Sequence, residues 1–278
     1  MTRLLLSISL VSAAWFCIPG ISYGANANWR NRVSVEETGY TAGDIAEEIK
    51  YGRAIAARIL GKHKAYDNPA LLKYVNLVGA SLALSTNRPE LEFHLTILDT
   101  EELNAYAAPG GYIFITKGAL KYMKDEAELA GVIAHEVAHI TERHVVKELK
   151  IKGTDDSSDL ARLAGGSSGA ARAAFGQAIE KGLELIFKDG YKKEDEMQAD
   201  KTSVTISTLS GYDPTGLARY LNRIKSIKEK NPPPTDSNHP SFDARTLQIS
   251  DAIKKDGINY STLARNNNRF ADAMNGFK

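Results

Sequence analysis

Residues 125–140 read Asp-Glu-Ala-Glu-Leu-Ala-Gly-Val-Ile-Ala-His-Glu-Val-Ala-His-Ile. Leu129, Val132, Ile133, Val137 and Ile140 recur at helical spacing, and Asp125 with Glu128 three residues on resembles a capping box at the helix start. Inside this apolar helix lies His135-Glu136-Val137-Ala138-His139. Residues four apart share one face a turn apart, so both imidazoles can reach a single metal ion. Glu136 lies beside the pair, where its carboxylate can reach a water activated by that ion. Two histidines and a glutamate among Val, Ile and Ala are costly to bury unless something satisfies them, and a zinc ion would do so.

A zinc hydrolase needs a third protein ligand and one open position. One spacing would put a histidine six residues after the second, in H-E-x-x-H-x-x-G-x-x-H. It is excluded here, because Glu142 stands for the glycine, Val145 for the histidine, and His144 is one residue out of step. The other route takes a glutamate from a later helix, followed four residues on by an aspartate. Glu196-Met197-Gln198-Ala199-Asp200 supplies that pair. Glu196 would bind the metal, and Asp200, one turn along, could accept a hydrogen bond from the free ring nitrogen of His135. A purely structural zinc site normally fills all four positions, mostly with cysteine. The only cysteine is Cys17, in the N-terminal segment.

Outward from these strings the chain reads as α+β. Ile45, Ile49, Ala56 and Ile59 mark a helix within 44–60. Asn68-Pro69 caps a second helix carrying Leu71, Leu72, Val75, Val78 and Leu82. Leu91, Phe93, Leu95 and Ile97 alternate with polar residues as in a half-buried strand. Asn104–Ala108 and Tyr112–Thr116 read as two short strands joined by a tight Pro109-Gly110-Gly111 turn. Gly, Ala and Ser dominate 153–190, predicting one or two loosely packed helices that form either a lid over a cleft or a loose surface insertion. A helix follows over 194–209, ended by Gly211, and another starts at Asp213-Pro214. The polar, Asn-rich tail beyond Asp256 offers little to bury.

Composition is that of a globular protein: 278 residues, 43% hydrophobic and 25% charged. Thirty-five Lys+Arg against 34 Asp+Glu leave a net charge of +1, with no global field to attract nucleic acid or anionic lipid. At the N-terminus, Arg3 precedes an uncharged, mostly apolar run from Leu4 to Ile18. Pro19-Gly20 and the cleavage patterns ending at Gly24 or Ala27 come next. This is the layout of a signal peptide over 1–27, ahead of a single domain over 28–278. The alternative is an uncleaved anchor, but the apolar run is short against the roughly 20 residues of a membrane span.

Four blocks carry a resemblance to the M48 family of zinc metallopeptidases, particularly its exported bacterial members. They are Asn104–Ile113, Glu128-Leu129-Ala130 running into His135–His139, Glu196–Asp200, and His239-Pro240 followed by Arg245. The resemblance extends from about Asp44 to Arg245. It implies a mainly helical, zincin-like α+β metalloprotease domain with a small sheet beside the active-site helix. It further implies one zinc ion on His135, His139 and Glu196, and Glu136 as catalytic base. His239 is either a fourth, blocking zinc ligand or a loop histidine beside a proline. Arg245 or His239 could add a donor to the developing oxyanion. Lys192 and Lys193 stand where the family often has arginine shortly before its glutamate ligand, so the resemblance does not carry a planar salt bridge over to this position.

The implied activity is endopeptidase cleavage of misfolded or unassembled exported proteins in the periplasm. The Asn104–Ala108 segment is either an edge along which substrate adds as a strand or an ordinary sheet edge. The rival reading is a chaperone-like envelope assembly factor with little proteolysis, against which an intact Glu136 argues. Expected partners are polypeptides and not nucleic acid. Peripheral membrane association and oligomeric state stay open.

Overall fold

A computed structural model describes residues 40–151, 169–230 and 240–277. The expected signal peptide, His239 and the first part of the Gly/Ala/Ser-rich segment lie outside the described residues. Two helices, α1 (Ala42–Lys62) and α2 (Pro69–Ala83), precede a three-stranded sheet of β1 (His94–Leu98), β2 (Ala105–Ala108) and β3 (Tyr112–Thr116). Then follow α3 (Lys117–Lys121), α4 (Glu126–Thr141), α5 (His144–Glu148) and α6 (Gly169–Glu184), the last continued by a π-helical turn at Leu185–Asp189. The chain closes with α7 (Lys193–Leu209), α8 (Gly216–Lys230), α9 (Phe242–Lys255) and α10 (Asn267–Ala273). The fold is therefore α+β and mainly helical, as the sequence predicts.

The sheet order is β1-β3-β2, with β1 parallel and β2 antiparallel to β3. That places β2 at an edge. The β2–β3 turn depends on Gly110 and Gly111, which hold φ at 74° and 96°, a region side chains with a Cβ rarely enter. Asn68 caps α2 by accepting from the Leu71 amide at 3.0 Å, with Pro69 in the first turn.

Every residue of α4 is buried, which explains why its apolar positions run almost around the helix. It packs on α7, α8 and α2, with β2 alongside. At Gly131 the α8 backbone comes so near that a Cβ would stand 2.5 Å from the Leu217 nitrogen. Asp125 caps α4 by accepting from the Glu128 amide at 2.8 Å. The reciprocal half of the expected capping box is displaced by one residue, since Glu128 accepts from the Lys124 amide and pairs with Arg223.

The tail departs from expectation. Ile258 and Phe270 are buried in the main core, and Arg269 and Asn266 bond to the Glu126 carboxylate at the head of α4. A few apolar anchors and one buried carboxylate are enough to dock an otherwise polar segment.

Candidate metal centre

His135 and His139 project from α4 toward Glu196 on the first turn of α7, and all three are almost fully buried. The two Nε2 atoms are 3.1 Å apart. Glu196 Oε2 lies 3.6 Å from His135 Nε2, and Oε1 lies 3.7 Å from His139 Nε2. Zinc with bonds of roughly 2.0–2.2 Å in tetrahedral geometry separates its ligand atoms by about 3.3–3.6 Å. The observed triangle fits that spacing, and two imidazoles with one carboxylate form a donor set that suits zinc. Among the described residues these three side chains form a group able to hold a metal ion.

The two ligand imidazoles are driven in opposite directions: burial, with the charge of His135, holds His139 well below the usual histidine value. Burial depresses the basicity of His135, but hydrogen bonds to Asp200 and Glu196 outweigh it and raise the ring to about 9. A divalent cation would satisfy the same carboxylates in place of that proton. Burial also pushes the Glu136 carboxyl up to about 7, against the opposing charge of His135. A base poised near neutrality is what proton transfer requires.

Asp200 Oδ1 lies 3.0 Å from His135 Nδ1, the outer nitrogen. Arg245, on α9, donates to both Asp200 oxygens at 2.8 and 2.6 Å, and its Nη1 stands 3.2 Å from Glu196 Oε2. All three guanidinium nitrogens are thus engaged by the two carboxylates. These contacts tie α9 to the ligand helix α7, in addition to the oxyanion-donor role that the sequence reading offers for Arg245.

Sequence reasoning missed Tyr191. Its ring stacks on His139 at 3.8 Å, and its hydroxyl donates to the outward-facing Ala107 carbonyl of β2 at 3.3 Å. Phe187, in the π-helical turn, packs on Tyr106 of the same strand. The segment before α7 therefore runs along the edge of β2 that faces away from β3. Its aromatic residues, five and nine positions before Glu196, were a usable signal. Lys192 pairs with Glu148 at the surface, away from the ligand cluster.

A helix bearing two histidines, a glutamate from a second helix and a buried glutamate between the histidines define a metallopeptidase-like centre. The family model for peptidase family M48 matches residues 69–253, and the chain belongs to that family. It is 25% identical over 226 residues to the beta-barrel assembly-enhancing protease of Escherichia coli K12, covering 76% of this chain and 45% of that protein. It is 27% identical over 198 residues to the metalloprotease LoiP of the same organism, covering 70% of this chain and 77% of that protein. It is 26% identical over 191 residues to the mitochondrial metalloendopeptidase OMA1 of Schizosaccharomyces pombe, covering 68% and 55%. The chain spans about half the length of the beta-barrel assembly-enhancing proteases that it matches.

Proposed function

We propose that this protein is a zinc-dependent endopeptidase acting on unfolded or unassembled polypeptides of the cell envelope. The observation that carries the reading is the convergence of His135 Nε2, His139 Nε2 and Glu196 at zinc-ligand spacing beside a buried Glu136. His135, His139 and Glu196 would hold the ion. When bound, zinc supplies the Lewis acidity that polarises a peptide carbonyl and makes water acidic enough to lose a proton near neutral pH. Glu136 takes the proton from the attacking water and returns it to the departing amine. Asp200 and Arg245 keep His135 and Glu196 in place while this happens.

The β2 edge supports an extended substrate. Antiparallel alternation turns the backbone groups of Ala105 to the same outer side as those of Ala107, and because the Tyr191 hydroxyl already bonds the Ala107 carbonyl, an added strand would have to displace the Phe187–Tyr191 segment to pair there. Such pairing reads backbone more than side chains, which favours unfolded chains. Relatives named as metalloproteases support the peptidase reading, and those named for beta-barrel assembly support an envelope role, as does the leader-like N-terminus. Among the described residues no helix is long and apolar enough to cross a membrane.

Metal removal tests the reading. Dialysis against a strong chelator is expected to abolish cleavage of casein, and stoichiometric zinc to restore it. Cleavage that survives complete zinc removal would defeat the proposal, and turnover of small esters in preference to unfolded protein would defeat its peptidase part.

A further inference from the structure

The two histidines of the candidate centre are supported from behind in different ways. The outer nitrogen of His135 meets a carboxylate. The outer nitrogen of His139 meets another histidine: its Nδ1 lies 2.9 Å from Nδ1 of His144. His144 opens α5 and is only 2% exposed. It reaches this position because Arg143 adopts a left-handed φ of 58°, which folds the chain back over the end of α4. The far nitrogen, Nε2, faces Gln198 Oε1 at 3.4 Å and Asp195 Oδ1 at 3.7 Å, both on α7. Gln198 in turn donates its Nε2 to Glu142 Oε2 at 2.6 Å, and the other Glu142 oxygen accepts from Thr202 at 3.0 Å.

Only one arrangement of protons satisfies this chain. His139 must keep Nε2 bare to offer a lone pair to a metal, so its proton sits on Nδ1. That proton is donated to His144 Nδ1, which must then be the bare nitrogen of its ring. The His144 proton accordingly sits on Nε2 and points at Gln198 Oε1. Glu142, an acceptor from the Gln198 amide nitrogen, turns the Gln198 oxygen toward His144. Each step runs in the same direction, from α4 to α7 and back.

We propose that His144 is a positioning residue, fixing the tautomer and ring orientation of His139 for metal binding through the Gln198–Glu142 relay. This rests on the reading of His135, His139 and Glu196 as a zinc site. The competing account is that His144 only fills space, since its ring also packs edge-on against His139 at 4.9 Å.

Substitution separates the two. Asparagine at position 144 can place its Oδ1 near where the ring holds Nδ1 and so keeps an acceptor for His139, whereas leucine fills the space without one. The measurement is zinc affinity of the purified protein by competition with a chromophoric chelator, with thermal unfolding of the zinc-free protein as a control for packing. His144→Leu is expected to weaken zinc binding about 10- to 100-fold, the usual effect of losing a partner behind a metal ligand, and His144→Asn to recover most of that loss. Gln198→Leu, which leaves His144 in place, should give a smaller loss in the same direction. Should His144→Leu bind zinc within twofold of the native protein, or His144→Asn bind no better than His144→Leu, the positioning role is overturned. If His144→Leu does not fold, the inference is decided by His144→Asn and Gln198→Leu, and native affinity in Gln198→Leu overturns it. Absence of zinc binding in the native protein would instead sink the underlying site, which distinguishes the two failures.

Discussion

Asp200 Oδ1 lies 3.0 Å from His135 Nδ1 and 2.6 Å from Arg245 Nη2, so one buried carboxylate ties a candidate metal ligand to an arginine 110 residues further along the chain. Asp200 is fully buried, and burial alone would raise its carboxyl, but Arg245 and His135 hold it below the usual range. Asp200→Ala is expected to weaken zinc binding about 10- to 100-fold by freeing the His135 ring. A chelator-competition titration reads this directly, and unchanged affinity would remove Asp200 from the site.

Arg245→Ala acts on the fold as well. It strips the guanidinium from a buried Asp200 and leaves His135 beside the carboxylate, and breaking a buried pair by removing one member costs up to about 3–5 kcal/mol. Urea unfolding of the zinc-free protein should show a loss of that order. A loss below about 1 kcal/mol would mean that the clamp contributes little to stability.

Gly131 sets how closely the metal-ligand helix meets α8. A methyl group there would stand 2.5 Å from the Leu217 nitrogen, inside any acceptable contact. Gly131→Ala is therefore expected to destabilise by about 1–3 kcal/mol, although alanine is the better helix former. The denaturation midpoint of the variant checks the sign.

These sites differ in how far the sequence reveals them. His135, Glu136 and His139 lie within two turns of one helix, and Glu196 and Asp200 within another, so the 3.6-residue period displays each set. The capping role of Asp125 and the Pro109–Gly111 turn are local for the same reason. Arg245 was visible as a residue but not as a clamp, because its partners come from another helix. His144 was legible only as a histidine out of step, since the left-handed turn at Arg143 that brings it onto His139 leaves no periodic trace. The parallel pairing of β1 with β3 and the docking of Phe270 are long-range contacts, which local spacing does not encode.

The head of α4 should give the protein an acid-sensitive anchor. Burial raises the Glu126 carboxyl, but bonds from Arg269, Tyr74, Asn266 and Tyr212 outweigh that and hold it below its ordinary value. A depressed carboxylate contributes stability that is present above the unfolded value of about 4.3 and is lost as pH falls through the folded value. The native protein should therefore lose stability more steeply than Glu126→Gln as pH drops below about 5. Urea midpoints at pH 7 and at about pH 4 compare the slopes, and parallel slopes would contradict the assignment.

The most direct test compares the purified protein with its Glu136→Gln variant, measuring zinc content and cleavage of casein side by side. The account predicts one zinc in each and cleavage by the native form alone, with activity of the variant down by at least about 100-fold, as loss of a positioned general base requires. Equal cleavage by both would contradict the role of Glu136, and a native protein that binds no zinc would contradict the centre itself.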